Sequence, residues 1–224
     1  MTMEWVSGYG LQLIFGAVTT LSVALVALVV GTVLGISLGT AKIYGAKPLR
    51  YSAEAYTAVV RGVPDLIVIY LIYFGGTVAL TKLTGEYVDI NGFAAGVAAL
   101  AFIFAAYAGD IFRGAIGQVP RGQTEAAHAL GLSRRAAFFR IILPQAWRLA
   151  LPGFGNLAII LIKQTSLISV IGLEELLRTS SVISGATRQP FLVYFVAAIL
   201  YLIITSVVSW GFRNAGIRSN RGFA

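Results

Sequence analysis

The chain has 224 residues, 58% apolar and 12% charged, with a mean hydropathy of +0.83, where soluble domains carry about 25% charged residues. This balance excludes an ordinary soluble fold and indicates a single helical membrane domain over residues 1–224, because spans of about 20 residues with short loops use most of the length. The formal charge of +8 comes from 17 Lys and Arg against 9 Asp and Glu, and with no cysteine and one histidine, disulfides, thiol catalysis and sulfur-ligated metals are excluded.

The N-terminal MTMEWVSG lacks the basic region of a secretory signal, so its apolar stretch is expected to be retained. No charge falls between Glu4 and Lys42, and a helix of that length outreaches a bilayer core of about 30 Å. An interfacial segment is therefore expected near residues 3–12 and a first span near 14–40. In that span Gly31, Gly35 and Gly39 recur every four residues, a face on which helix backbones approach closely.

A second span is expected near 57–80. It opens with Arg61-Gly62-Val63-Pro64-Asp65. Arg61 and Asp65, four apart, either neutralise each other on one helix face or flank a break that Pro64 imposes, exposing polar backbone to a cavity. The third span, near 92–112, begins after Asp89 and closes at Asp110 and Arg113. The fourth, near 149–173, carries Lys163, and the fifth lies near 191–212.

Five spans place the termini on opposite sides. One set of loops holds Lys42, Lys47, Arg50, Arg113, Arg121, Arg134, Arg135, Arg140, Arg148, Arg213, Arg218 and Arg221, and the other only Lys82, Arg178 and Arg188. Basic residues concentrate in cytoplasmic loops, so the N-terminus is expected outside and the C-terminus in the cytoplasm. The positive charge then encodes topology, not nucleic-acid binding.

Residues 114–148 form the longest polar connection. Glu125-Ala126-Ala127-His128-Ala129-Leu130 favours a helix, and Gly131 suits a left-handed end. Ser133 can cap a second helical stretch from Arg134 to Trp147, striped by Phe138, Ile141 and Ile142 and interrupted at Pro144. His128 is expected on the helix surface.

Glu125-Ala126-Ala127, Gly131, Ile141 and Leu143-Pro144 resemble, in spacing, the EAA loop of membrane subunits of bacterial ABC importers. The flanking Arg113-Gly114, Pro120-Arg121-Gly122-Gln123, Leu151-Pro152, Asn156 and Lys163-Gln164-Thr165-Ser166-Leu167 narrow the likeness to permeases for polar amino acids, over nearly the whole chain. It departs at Asp110, where many relatives carry Glu. The resemblance implies an all-α, type I importer-like bundle of about five transmembrane helices in the bacterial inner membrane. It implies a cytoplasmic coupling loop over 114–148, with Glu125, Ala126, Ala127, Gly131 and Leu132 engaging a separate ATPase dimer that binds ATP and Mg. It also implies a second homologous permease, preferably non-identical, a periplasmic binding protein and surrounding membrane lipid.

No GxxxxGK[ST] phosphate loop occurs, so the chain cannot hydrolyse ATP by that mechanism, and no catalytic set or cofactor site is recognisable. Intramembrane ionisable residues mark functional positions. Arg61, Asp65, Lys163 and its neighbours Thr165 and Ser166, with Asn156 two turns before Lys163, are therefore candidates for the substrate path, although Lys163 and Asn156 also suit snorkelling or interhelical bonding. The Arg-Gly-Val-Pro-Asp-Leu segment resembles that of permeases for histidine, lysine, arginine, ornithine and opines, implying a basic amino acid or opine substrate. A standalone secondary transporter or channel is the alternative, but five spans divide poorly into inverted repeats. A membrane scaffold without transport is the third reading.

Overall fold

The computed structural model describes residues 6–88 and 90–220, and Asp89, Glu4 and Arg221 lie outside them. The described residues are helical nearly throughout, and five helical stretches are long and apolar enough to cross a membrane. The long helices are α1 (Leu11–Tyr44), α3 (Asp65–Thr84), α4 (Gly92–Gln118), α7 (Leu143–Gln164) and α9 (Pro190–Asn220). Shorter helices are α2 (Lys47–Gly62), α5 (Arg121–Ala129), α6 (Arg134–Ala137) and α8 (Leu176–Thr187).

The first span differs from its expected form. A π turn over Val6–Gly10 runs straight into α1, with Gly10 helical, so the described part of the expected interfacial segment continues the spanning helix. Between Val6 and Tyr44 there is no proline and no local competitor to end the helix. The described helix is thus longer than a bilayer core of about 30 Å is thick.

The glycine face of α1 packs on α4. A Cβ on Gly35 would sit 2.6 Å from the Ala108 Cβ, and one on Gly39 2.9 Å from both the Arg113 nitrogen and the Gly109 carbonyl oxygen. These helices meet almost backbone to backbone, and lipid-immersed helices gain stability chiefly from such close packing. Helix α4 is the centre of the bundle, in contact with α1, α2, α3 and α7. Its most apolar 18-residue stretch is 61% buried, against 11% for α3 and α9. Phe104 and Phe112 fill the core, Phe104 edge-on to Phe154 at 5.5 Å and Phe112 stacked on Trp147 at 5.7 Å.

The second span is shorter than expected, because the helix breaks. Val63 (φ −101°, ψ 138°) and Pro64 (φ −56°, ψ 132°) are extended, separating α2 from α3. Proline restricts the residue before it to extended conformations and supplies no N–H. The span begins at Asp65, and Arg61 belongs to the amphipathic α2. The third span starts as expected, with the Asn91 Oδ1 accepting from the Phe93 and Ala94 N–H groups, but runs on to Gln118.

The fourth span is part of a longer helical run. Pro144 does not interrupt it, because Phe138–Ile142 widens into a π turn in which the Leu143 N–H bonds the Phe138 carbonyl. A wider turn relieves the clash of a proline ring with the preceding turn. After α7 the chain tightens into a 3-10 segment, Thr165–Ile171, ending at Gly172 in the left-handed region (φ 85°). Helix α8 then packs against α1 and α9 at the bundle end away from α5 and α6.

Candidate functional site

Four polar features stand out from the apolar bundle. The first gathers around Asp110 on α4. The Lys42 ammonium, at the end of α1 and 6% exposed, lies 2.6 Å from Asp110 Oδ1 and donates to Thr57 Oγ1 at 2.6 Å. Arg61 of α2 pairs with the other oxygen, Asp110 Oδ2, and its guanidinium lies 5.3 Å from the centre of the Tyr107 ring. Arg113 stands 3.9 Å from Oδ1. One carboxylate thus ties α1, α2 and α4 together beside an open cavity of about 430 Å³ lined by Thr57, Arg61, Tyr107 and Asp110.

Arg61 and Asp65 therefore do not neutralise each other. The break at Val63-Pro64 places them on different helices, and their partners are 49 and 99 residues away in sequence. Asp65 opens α3, where the positive end of the helix favours a carboxylate, and accepts a hydrogen bond from Gln164 Nε2 at 2.6 Å. This second feature sits next to Lys163 at the end of α7.

The third feature is the uncovered side of α7. Asn156 and Lys163, seven residues apart, are both exposed in the isolated chain, and Lys163 forms no ion pair among the described residues. Asn156 lines a cleft of about 490 Å³ between α7 and α9. Thr165 is fully buried with its hydroxyl bonded to the Ile162 carbonyl at 2.6 Å, and Ser166 donates to the Lys163 carbonyl at 2.7 Å. Their hydroxyls shape the transition from α-helix to 3-10 helix, leaving Lys163 and Asn156 as the side chains that face outward.

The fourth feature is the loop around α5. The Leu132 N–H bonds the Ala127 carbonyl at 3.0 Å and the Gly131 N–H bonds the His128 carbonyl at 2.9 Å, with Gly131 at φ 76°. This is the paired closure of a glycine-terminated helix. Ser133 then accepts from the Ala136 N–H at 3.3 Å and starts α6. Ala127 is buried, which holds α5 on the bundle, whereas Glu125, Ala126 and His128 are exposed and Leu130 is 82% exposed. Gln145 Nε2 to Gln123 Oε1, at 3.4 Å, links α5 to α7. The result is a rigid corner with an acidic and an apolar side chain presented outward, and Glu125 forms no ion pair among the described residues.

Sequence reasoning missed the roles of Lys42, Gln164 and Glu175, and noted Asp110 only as the close of the third span and a departure from relatives. Glu175 is fully buried, accepting from the Leu177 and Arg178 N–H groups at 2.9 and 2.7 Å, from Tyr201 at 3.0 Å and from Thr20 at 3.4 Å. Burial pushes its carboxyl above the ordinary range, against the pull of these four donors. It caps α8 and fastens it to α1 and α9. Among the described residues no group of three or more His, Asp or Glu side chains gathers to hold a metal.

The family model for the binding-protein-dependent transport system inner membrane component matches residues 31–216. The chain is 40% identical to the arginine ABC transporter permease protein ArtQ of Haemophilus influenzae, over 94% of this chain and 95% of that one. It is 42% identical to the octopine transport system permease protein OccQ of Rhizobium meliloti, over 96% and 93%. Among solved structures, an amino acid ABC transporter crystallised with histidines superposes with a TM-score of 0.81 at 33% identity, covering 97% of this chain and all of that one. The MetNI methionine ABC transporter shares the fold, with a TM-score of 0.79 at 18% identity over 98% of this chain and 99% of that one. The chain belongs to the family of inner membrane components of binding-protein-dependent transport systems and is an ABC transporter permease subunit of the amino acid type.

Proposed function

We propose that this chain forms half of the transmembrane path of an ATP-driven importer for basic amino acids or opines in the bacterial inner membrane. The reading rests above all on its similarity, over nearly the full length, to permeases named for arginine and octopine. Asp65 supports it, because a carboxylate at a helix start beside an uncovered face suits a guanidinium or ammonium group better than a neutral side chain. Asn156 and Lys163 line the path on the same side, with Lys163 available to a substrate carboxylate. Arg61 acts through Asp110, holding α2 against α4 at the edge of the path, and Thr165 and Ser166 fix the backbone that carries Lys163.

The uncovered α7 face needs a second permease to close the path, and a homologous, non-identical subunit is favoured. With the N-terminus outside and the C-terminus in the cytoplasm, a periplasmic binding protein delivers substrate at the end that carries α8. At the other end the corner formed by Glu125, Ala126, Ala127, Gly131 and Leu132 docks on an ATPase dimer, Glu125 meeting a base there. That dimer holds ATP and Mg, and its closure moves the corner and with it α7, alternating access between the two sides.

The test is uptake of arginine and glutamine by reconstituted complex carrying D65N. Arginine uptake is expected to fall at least about tenfold with glutamine uptake little changed, in line with loss of a charge-assisted contact. Equal loss of both removes Asp65 as the selective element.

A further inference from the structure

We propose that the cavity between the end of α1, α5 and the π turn binds the phosphate headgroup of an anionic phospholipid. The cavity measures about 520 Å³, and its lining divides in two. One part is cationic or donating: Arg134, Arg135 and His128, all exposed. The other is aromatic: Tyr44 meets Phe138 edge-on at 6.0 Å, Phe138 meets Phe139 at 5.2 Å, and the Arg135 guanidinium lies 6.0 Å from the Phe139 ring.

Neither arginine forms an ion pair among the described residues, so two adjacent guanidiniums face the cavity without a counter-charge. A guanidinium pair matches phosphate oxygens in a fixed fork geometry. Position selects a lipid as the source of that phosphate. Tyr44 ends the helix that carries the first apolar span, two residues past Lys42, the first charge after the uncharged run, which puts this end of the cavity near the headgroup layer. There aromatic rings are at home and basic pockets between helices collect anionic headgroups. Tyr44 and Phe139, each 55% exposed, offer apolar surface to the glycerol and upper acyl region. Glu125 and Leu130, presented at the corner, do not line this cavity. Thr124 and His128 of the same helix do line it, so the cavity adjoins the surface offered to the ATPase and is independent of the substrate transported.

The complex, purified with its partners, is titrated with phosphatidylglycerol or phosphatidylcholine and bound lipid is counted by native mass spectrometry. The wild type is expected to prefer phosphatidylglycerol. R134Q/R135Q should weaken that binding roughly thirtyfold, given the usual contribution of each basic residue near an anionic surface, and R134K/R135K should retain most of it. F139N, which keeps both charges at an exposed position, should also weaken phosphatidylglycerol binding and serves as the test if the double variant is not monodisperse. Equal binding of the two lipids, or unchanged phosphatidylglycerol binding in R134Q/R135Q and F139N, overturns the proposal. Displacement by millimolar inorganic phosphate assigns the site to the free anion and overturns it as well. Loss of the ATPase subunit from R134Q/R135Q with lipid binding intact does the same, giving the arginines to the protein partner.

Discussion

Replacing Asp110 with Asn removes the only acidic group holding the Lys42 ammonium among the described residues. The Lys42 side chain is 4% exposed, and its remaining partner is the Thr57 hydroxyl. Breaking a buried ion pair from one side costs about 3–5 kcal/mol, because a charge is left uncompensated out of water. Arg61 is 47% exposed and Asp110 26%, so the Arg61 share is screened and adds less than about 1 kcal/mol. A net loss of about 3 kcal/mol corresponds to a fall in Tm of about 6–12 °C at this chain length. Removing the ammonium as well, in K42M/D110N, should recover most of the loss, since an apolar side chain of similar volume replaces the stranded charge. The assay is thermal denaturation in mild detergent for D110N, K42M and the double variant, read as a cycle. Additive effects, or a D110N midpoint within about 2 °C of wild type, would falsify the idea that Asp110 holds three helices together.

At the corner, G131V forces a β-branched residue to φ 76°, a local cost of about 1–3 kcal/mol; the protein should still insert, while substrate-stimulated ATP hydrolysis in the complex is lost. Unchanged stimulation would show that the corner is not transmitting anything. G39L drives a side chain against α4 backbone, where nothing flexible can yield, and should cost about 2 kcal/mol or more in a melt; a wild-type midpoint would mean that α1 and α4 can separate freely. Burial raises the Glu175 carboxyl in the folded state, so that state holds its proton more tightly and stability falls as pH rises from the ordinary carboxylate range through the raised value. E175Q should remove this slope, gaining on the wild type as pH rises above 4.5, and the opposite trend in paired melts would mean that the four donors outweigh burial.

The spans were legible because uncharged runs near 20 residues have one physical use, and Gly131 was legible because few residues tolerate its backbone conformation. Arg61 and Asp65 were ambiguous, since a spacing of four means contact only if the helix is unbroken. Pro64 made the break thinkable without deciding it. Lys42 looked like one more topology-setting base, because the α1 helix running on to Tyr44 and a partner 68 residues away leave no local trace. Glu175 was hidden for a similar reason. Its acceptors face donors on three helices, a meeting that only the packed bundle creates.

From Arg134 to Ile171 the chain is helical for 38 residues without a loop, a strut of nearly 60 Å at about 1.5 Å per residue. Its lower tip is welded to the Gly131 corner, and Gln164 rides about 45 Å further along it. Leverage follows from length alone. A tilt of about 5° at the corner sweeps Gln164 through about 4 Å, farther than the 2.6 Å hydrogen bond it makes to Asp65, so a nudge too small to disturb the corner is enough to unhand the carboxylate at the far end.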